Sequence, residues 1–147
     1  MYNTVIFSKK CEYGLQATLY LAANAEREAI TAEEIAKQLS IPKEFVSKIL
    51  QGLTESGLVT SKKGKSGGFA LAKDPKRIRL LDVVGAIDGL DIFNNCVLGF
   101  PKCSPDNPCP LHNKWGELRM KTYNMLTDET LDRFKESTLA KIKSQRF

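Results

Sequence analysis

The sequence predicts a mainly α-helical fold carrying one small β-hairpin, and three observations lead there. Two short stretches of helical periodicity meet across a tight break at Ser40-Ile41-Pro42. Beyond them, a segment rich in glycine and lysine separates two short apolar runs. Later still, Leu111, Trp115, Leu118, Thr122 and Met125 recur at alternating steps of four and three, which is the spacing of a helix with a seam for another helix.

Each element has a local reason. Leu15, Leu19 and Ala22 recur at helical spacing, so a first helix is expected from Ser8 to about Glu26, with Ser8 as its cap. Thr31-Ala32-Glu33-Glu34 has the form of a capping box, in which the Thr31 oxygen takes an orphan amide and Glu34 reaches back. Ile35, Ala36 and Leu39 then give the second helix its apolar face. Proline forfeits no hydrogen bond at the start of a helix, so Pro42 opens a third one. Phe45, Val46, Ile49, Leu50 and Leu53 are expected to point inward, and Gly57 ends the helix. Two short helices across such a break make a helix-turn-helix.

Residues 58–61 and 69–72 read as strands, and the segment between them holds three glycines and three lysines. That is a hairpin wing with a flexible, cationic tip. Leu81, Val83, Val84 and Ile87 suggest a fourth helix ending at Gly89. Residues 91–110 show no periodicity but contain four prolines and three cysteines, a loop held by something other than its own packing. The long helix from Leu111 follows, and a final helical piece is expected from Leu131 to about Ile142. The expected organisation is a winged helix-turn-helix over residues 1–90, a cysteine-rich metal-binding loop over 91–110 and a helical dimerisation arm over 111–147.

Composition narrows the function. The chain has 147 residues, 42% apolar and 27% charged, which suits one modest globular core. A net charge of +5 favours an anionic partner such as nucleic acid. No apolar run of signal-peptide length opens the chain and none reaches the length of a membrane span, so a cytoplasmic protein with no membrane partner is expected. Of the four cysteines, Cys11 stands alone while Cys96, Cys103 and Cys109 fall within fourteen residues. In a reducing compartment that cluster points to metal ligation or redox chemistry rather than to structural disulfides.

On the outer side of the third helix, Lys43, Glu44, Ser47, Lys48 and Gln51 recur opposite the apolar stripe. A merely solvated face would explain them as well as DNA contact does. The helix-turn-helix order and the basic wing, with Lys63 and Lys65 at its tip, tilt the balance to double-stranded operator DNA.

Six residues separate Cys96 from Cys103 and five separate Cys103 from Cys109. Structural zinc usually takes cysteine pairs two to four residues apart, so this spacing leans toward an iron-sulfur cluster of undetermined type. His112 is the only histidine and follows Cys109 by three residues. The rival reading is a metal-free regulator whose thiols sense oxidants by forming disulfides. An enzyme is disfavoured: Gly64-Lys65-Ser66 lacks the first glycine of a phosphate loop.

Taken in order, these signals resemble the Rrf-type winged-helix transcription regulators, the family of IscR-, NsrR-, RirA- and CymR-like proteins. The resemblance rests on a Tyr13-bearing first helix, Glu34-Ile35-Ala36 before Ile41-Pro42, Gly57-Leu58-Val59, Gly67-Gly68-Phe69, and Asp82-Val83-Val84 with Ile87 and Gly89. It covers the chain from Ser8 to about Arg133 and implies a homodimer crossed by the long helices. It also implies that Cys96, Cys103 and Cys109 ligate a cluster, as three cysteines do in the cluster-binding branch. IscR-like members place a ligand histidine where His112 stands. NsrR-like members supply an acidic ligand from the partner's first helix, where Glu12 stands. The family's wing tip reaches the minor groove, and many relatives carry arginine where this chain has Lys63.

Overall fold

The computed structural model describes residues 6–65 and 67–145; residues 1–5, Ser66 in the expected wing tip, and 146–147 lie outside the described residues. The outer ends of the first and last expected segments therefore lie outside them too. The chain runs through α1 (Lys9–Ala23), α2 (Ala32–Leu39), α3 (Lys43–Glu55), β1 (Val59–Lys62), β2 (Gly68–Leu71), α4 (Leu80–Ile87), α5 (His112–Asp128) and α6 (Lys135–Ser144), with single 3-10 turns at Pro75–Arg77, Asp91–Phe93 and Leu131–Phe134.

Ser8 caps α1 as expected, its hydroxyl accepting from the Cys11 amide at 3.0 Å. Asp88, at the end of α4, in turn holds Ser8: its carboxylate accepts from the Ser8 amide at 2.8 Å and from the Ser8 hydroxyl. The helix stops at Ala23 rather than near Glu26, because the Asn24 side chain donates to the Tyr20 carbonyl at 2.9 Å and takes up the end of the helix. Gly14 lets α4 come close. A Cβ there would stand 2.1 Å from Ile87 Cδ1.

Half of the expected capping box forms. Thr31 accepts from the Glu34 amide at 3.1 Å, but the Glu34 carboxylate turns away from the cap. It accepts from the Tyr20 hydroxyl at 2.9 Å and from both Arg27 terminal nitrogens, since a charged guanidinium outcompetes a neutral amide. Arg27 first, and Tyr20 after it, hold that carboxyl below its ordinary range against the opposing effect of burial. Ser40, with φ of 56°, then makes the left-handed step that turns α2 into α3.

Val46, Ile49, Leu50 and Leu53 of α3 are buried, but Phe45 is 56% exposed, contrary to the expectation. One residue turns a helix by about 100°, so Phe45 sits at the edge of the stripe that Val46 begins. There its ring leans on Tyr13, with centroids 6.4 Å apart.

The strands pair antiparallel with Val59 opposite Leu71 and Lys62 opposite Gly68. Each is offset by one residue from its expected position. A third segment completes the wing: Ile30 and Phe69 exchange amide bonds of 2.9 and 2.7 Å. Gly68 makes this approach feasible, with φ of 140° and the Ile30 carbonyl 2.5 Å from where a Cβ would lie.

The expected arm over 111–147 behaves as two pieces. Leu80 donates to the Glu129 carbonyl and Leu131 to the Ile78 carbonyl, each at 3.0 Å, which stitches the chain back to the core after α5. Leu131 and Ile142 are buried with Ala17, Leu21 and Leu39, so α6 belongs with α1. By contrast α5 buries Leu126 alone. Leu118, Met120 and Met125 are 59%, 60% and 53% exposed.

Candidate metal centre and nucleic-acid face

Three short-range devices shape the cysteine loop. The Gly99 amide donates to the Cys96 carbonyl at 3.0 Å, and Gly99 takes the positive φ of 82° that closes that turn. Ser104 and Asn107 exchange backbone bonds in a second turn. The His112 amide donates to the Cys109 carbonyl at 3.0 Å, which joins the loop to the start of α5. Further along α5, the Trp115 indole donates to the Asn95 carbonyl at 2.9 Å and so fixes the residue just before Cys96.

These turns bring Cys96, Cys103 and Cys109 together, with all three sulfurs within 4.8 Å of one another and each side chain half-buried. Cys96 Sγ and Cys109 Sγ are 3.4 Å apart, His112 Nδ1 lies 3.1 Å from Cys103 Sγ, and the Cys109 amide donates to Cys103 Sγ at 3.4 Å. Desolvation pushes the Cys96 thiol up, but hydrogen bonds from the Phe100 amide, Cys109 and the Leu98 amide outweigh it and bring it down to about 7. Cys109 is pushed up, by desolvation first and by Cys96 next. A proton is thus removed more easily from one of the pair than from the other. A cleft lined by Phe100, Pro101, Cys103, Cys109 and Pro110 opens on the sulfurs and leaves them reachable by small solutes.

Three soft thiols and one imidazole on a loop with little apolar packing suit a transition metal or an iron-sulfur cluster. Glu12 does not join them within one chain; it pairs with Lys9 at 3.1 Å. Cys11 is fully buried against Leu81, Val84 and Leu126. Burial first, then Asp88, pushes its thiol up to about 12, so at neutral pH it is an inert packing group.

The other expected site residues lie on α3 and the wing. Lys43, Lys48 and Gln51 are exposed along α3, Ser47 is half-buried beside them, and Lys63 and Lys65 are exposed at the wing. Among the described residues, none of these four lysines is in an ion pair, whereas Lys62 faces Glu28 at 3.6 Å. Sequence reasoning missed two pairs here: Tyr13 with Phe45, and Trp115 with Asn95. The second was findable, since a half-buried indole N–H ordinarily needs a partner.

Two short helices across a left-handed turn, a three-segment basic wing and an exposed long helix define a winged helix-turn-helix architecture. The model of the Rrf2 family, described as an iron-dependent transcriptional regulator, matches residues 7–137, and the chain belongs to that family. A protein of Aquifex aeolicus (strain VF5), named as a candidate HTH-type transcriptional regulator, is 39% identical over 129 residues, covering 86% of this chain and 89% of its own length. The HTH-type transcriptional regulator IscR of Klebsiella pneumoniae (strain 342) is 27% identical over 124 residues, covering 84% of this chain and 76% of its own. Among solved structures, CymR of B. subtilis superposes with a TM-score of 0.76 at 21% identity, covering 91% of this chain and 98% of that one. IscR of T. potens gives 0.70 at 23%, covering 90% and 88%. The fold is therefore that of the Rrf2 regulators, and the chain is a transcriptional regulator rather than an enzyme. Among the described residues no helix is long and apolar enough to cross a membrane.

Proposed function

We propose that this regulator binds operator DNA as a homodimer and that a cysteine-held iron-sulfur cluster sets its affinity. The observation that carries the reading is the convergence of the Cys96, Cys103 and Cys109 sulfurs, with His112 beside them, at the start of the helix that leaves Leu118, Met120 and Met125 exposed. Cys96, Cys103 and Cys109 would hold the cluster, with His112 as the fourth ligand from the same chain or Glu12 from the partner's first helix. When bound, such a cluster supplies a centre that oxygen or nitric oxide attacks, and a nonthiolate ligand makes it easier to lose.

The chain's own residues convert that event into a change at DNA. Leu111 at the cap of α5 and Leu118 and Met125 within it recur every seven residues and offer the seam for a second copy. The Trp115 bond to Asn95 ties this helix to the residue before Cys96, so a loop that loosens frees α5 as well. In a dimer crossed by two such helices, the spacing of the two α3 helices follows. Lys43, Ser47, Lys48 and Gln51 would enter the major groove, and Lys63 and Lys65 would reach phosphates flanking it.

The contact of 3.4 Å between Cys96 Sγ and Cys109 Sγ favours a second reading, a metal-free switch in which oxidation joins that pair. Anaerobic reconstitution with iron and sulfide separates the two. Under the first reading, visible absorption appears, is lost on exposure to nitric oxide together with a change in DNA affinity, and is absent from Cys103→Ala. Under the second, no absorption appears, and oxidant changes DNA affinity in the parent and in Cys103→Ala but not in Cys96→Ala.

A further inference from the structure

Among the described residues, Phe45 is the only large apolar side chain of α3 left exposed, at 56%. It sits in the first turn of that helix, where helix-turn-helix proteins bring side chains to base edges. Its ring has one aromatic neighbour. Tyr13 backs it at 6.4 Å, tilted by 58°, and the Lys9 ammonium lies 5.7 Å from the Tyr13 ring. Lys43 and Lys48, two residues before and three after, are exposed around it. The arrangement is an aromatic knob backed by Tyr13, with two lysines that suit a groove walled by phosphates and the exposed Glu44 beside it.

The floor of the major groove presents polar atoms at every base pair and one apolar group, the 5-methyl of thymine. A phenyl ring between lysines gains most at base-edge level from that methyl group, the largest apolar target there. We infer that Phe45 reads a thymine in the operator by packing on its 5-methyl group, a specificity contact beside the polar ones of Ser47, Lys48 and Gln51. The inference rests on the proposed DNA binding and adds the base it selects.

The test begins with a random-sequence duplex library selected against the full-length protein, isolated anaerobically and again after exposure to air. Each thymine of the enriched duplex is then replaced in turn by deoxyuridine, which removes only the methyl, and affinities are read by fluorescence anisotropy at fixed salt. With the parent protein, deoxyuridine at one thymine of the site weakens binding about four-fold, the worth of one buried methyl. Phe45→Ala binds the thymine duplex more weakly by a similar factor, no longer responds to deoxyuridine there, and keeps the parent's salt dependence. Phe45→Leu, still apolar, retains part of the response. Deoxyuridine penalties that are absent, or the same in parent and Phe45→Ala at every position, overturn the inference while DNA binding stands. A library that enriches no duplex overturns the DNA-binding reading and this inference with it.

Discussion

Replacing Gly68 by alanine puts a methyl carbon 2.5 Å from both the carbonyl carbon and the oxygen of Ile30, and 2.9 Å from the Thr31 nitrogen. Backbone cannot swing aside as a side chain tip can, so the Ile30 segment must separate from the wing. The two amide bonds between Ile30 and Phe69 then break, at about 1 kcal/mol each. Holding a non-glycine residue at φ of 140° costs about 1–3 kcal/mol more. The sum is about 3–5 kcal/mol, which lowers the melting temperature of a chain this size by about 6–20 °C. Gly64→Ala is the matched control: its φ is 101°, but no atom lies within 4 Å of the added carbon, so it bears the strain alone. Thermal unfolding followed by circular dichroism should rank the parent above Gly64→Ala and that above Gly68→Ala. If Gly68→Ala melts with Gly64→Ala, the wing does not depend on the Ile30 contact, and the reasoning fails.

Glutamate at Leu118 and Met125 should convert a dimer into a monomer at micromolar concentration by sedimentation, with the far-ultraviolet spectrum kept because both side chains are already exposed. Alanine at Lys48, Lys63 or Lys65 should lower the logarithmic salt slope of DNA binding by about 0.9 for each phosphate that is no longer neutralised; titrations at several salt concentrations read it directly. Glu34, whose carboxyl Arg27 and then Tyr20 hold below the ordinary 4.5, contributes stability that is complete above that value and is lost as pH falls through the depressed one. Urea midpoints measured from neutral to acid pH should therefore converge for the parent and Glu34→Gln as the pH drops.

Much of this fold was legible because its signals are local. Ser8, Thr31, Pro42 and Gly57 mark helix ends through bonds made within a few residues, and the glycines of residues 64–68 could only be a turn. What escaped is what the chain decides at a distance. Glu34 belongs by its own segment to a capping box, and only the folded α1 region shows that Arg27 and Tyr20 claim its carboxylate. Phe45 shares a helical face with Ile49 by spacing, yet the stripe is centred on Val46, Leu50 and Leu53 and leaves the ring at its edge beside Tyr13. Nothing near Leu131 announces that its amide will pair with Ile78. At the candidate site, cysteine spacing was enough to single out the trio, and proximity in sequence was enough to bring His112 to Cys103. The Trp115 link to Asn95 spans twenty residues of irregular loop, where no periodicity exists to be read.

The most direct test of the cluster reading is the iron and acid-labile sulfide content of full-length protein isolated anaerobically. The account predicts iron and sulfide in matching amounts, with both lost from Cys96→Ala, Cys103→Ala and Cys109→Ala and both kept in Cys11→Ala. Protein that carries zinc without sulfide, or a Cys103→Ala variant with the parent's full iron and sulfide, would contradict it.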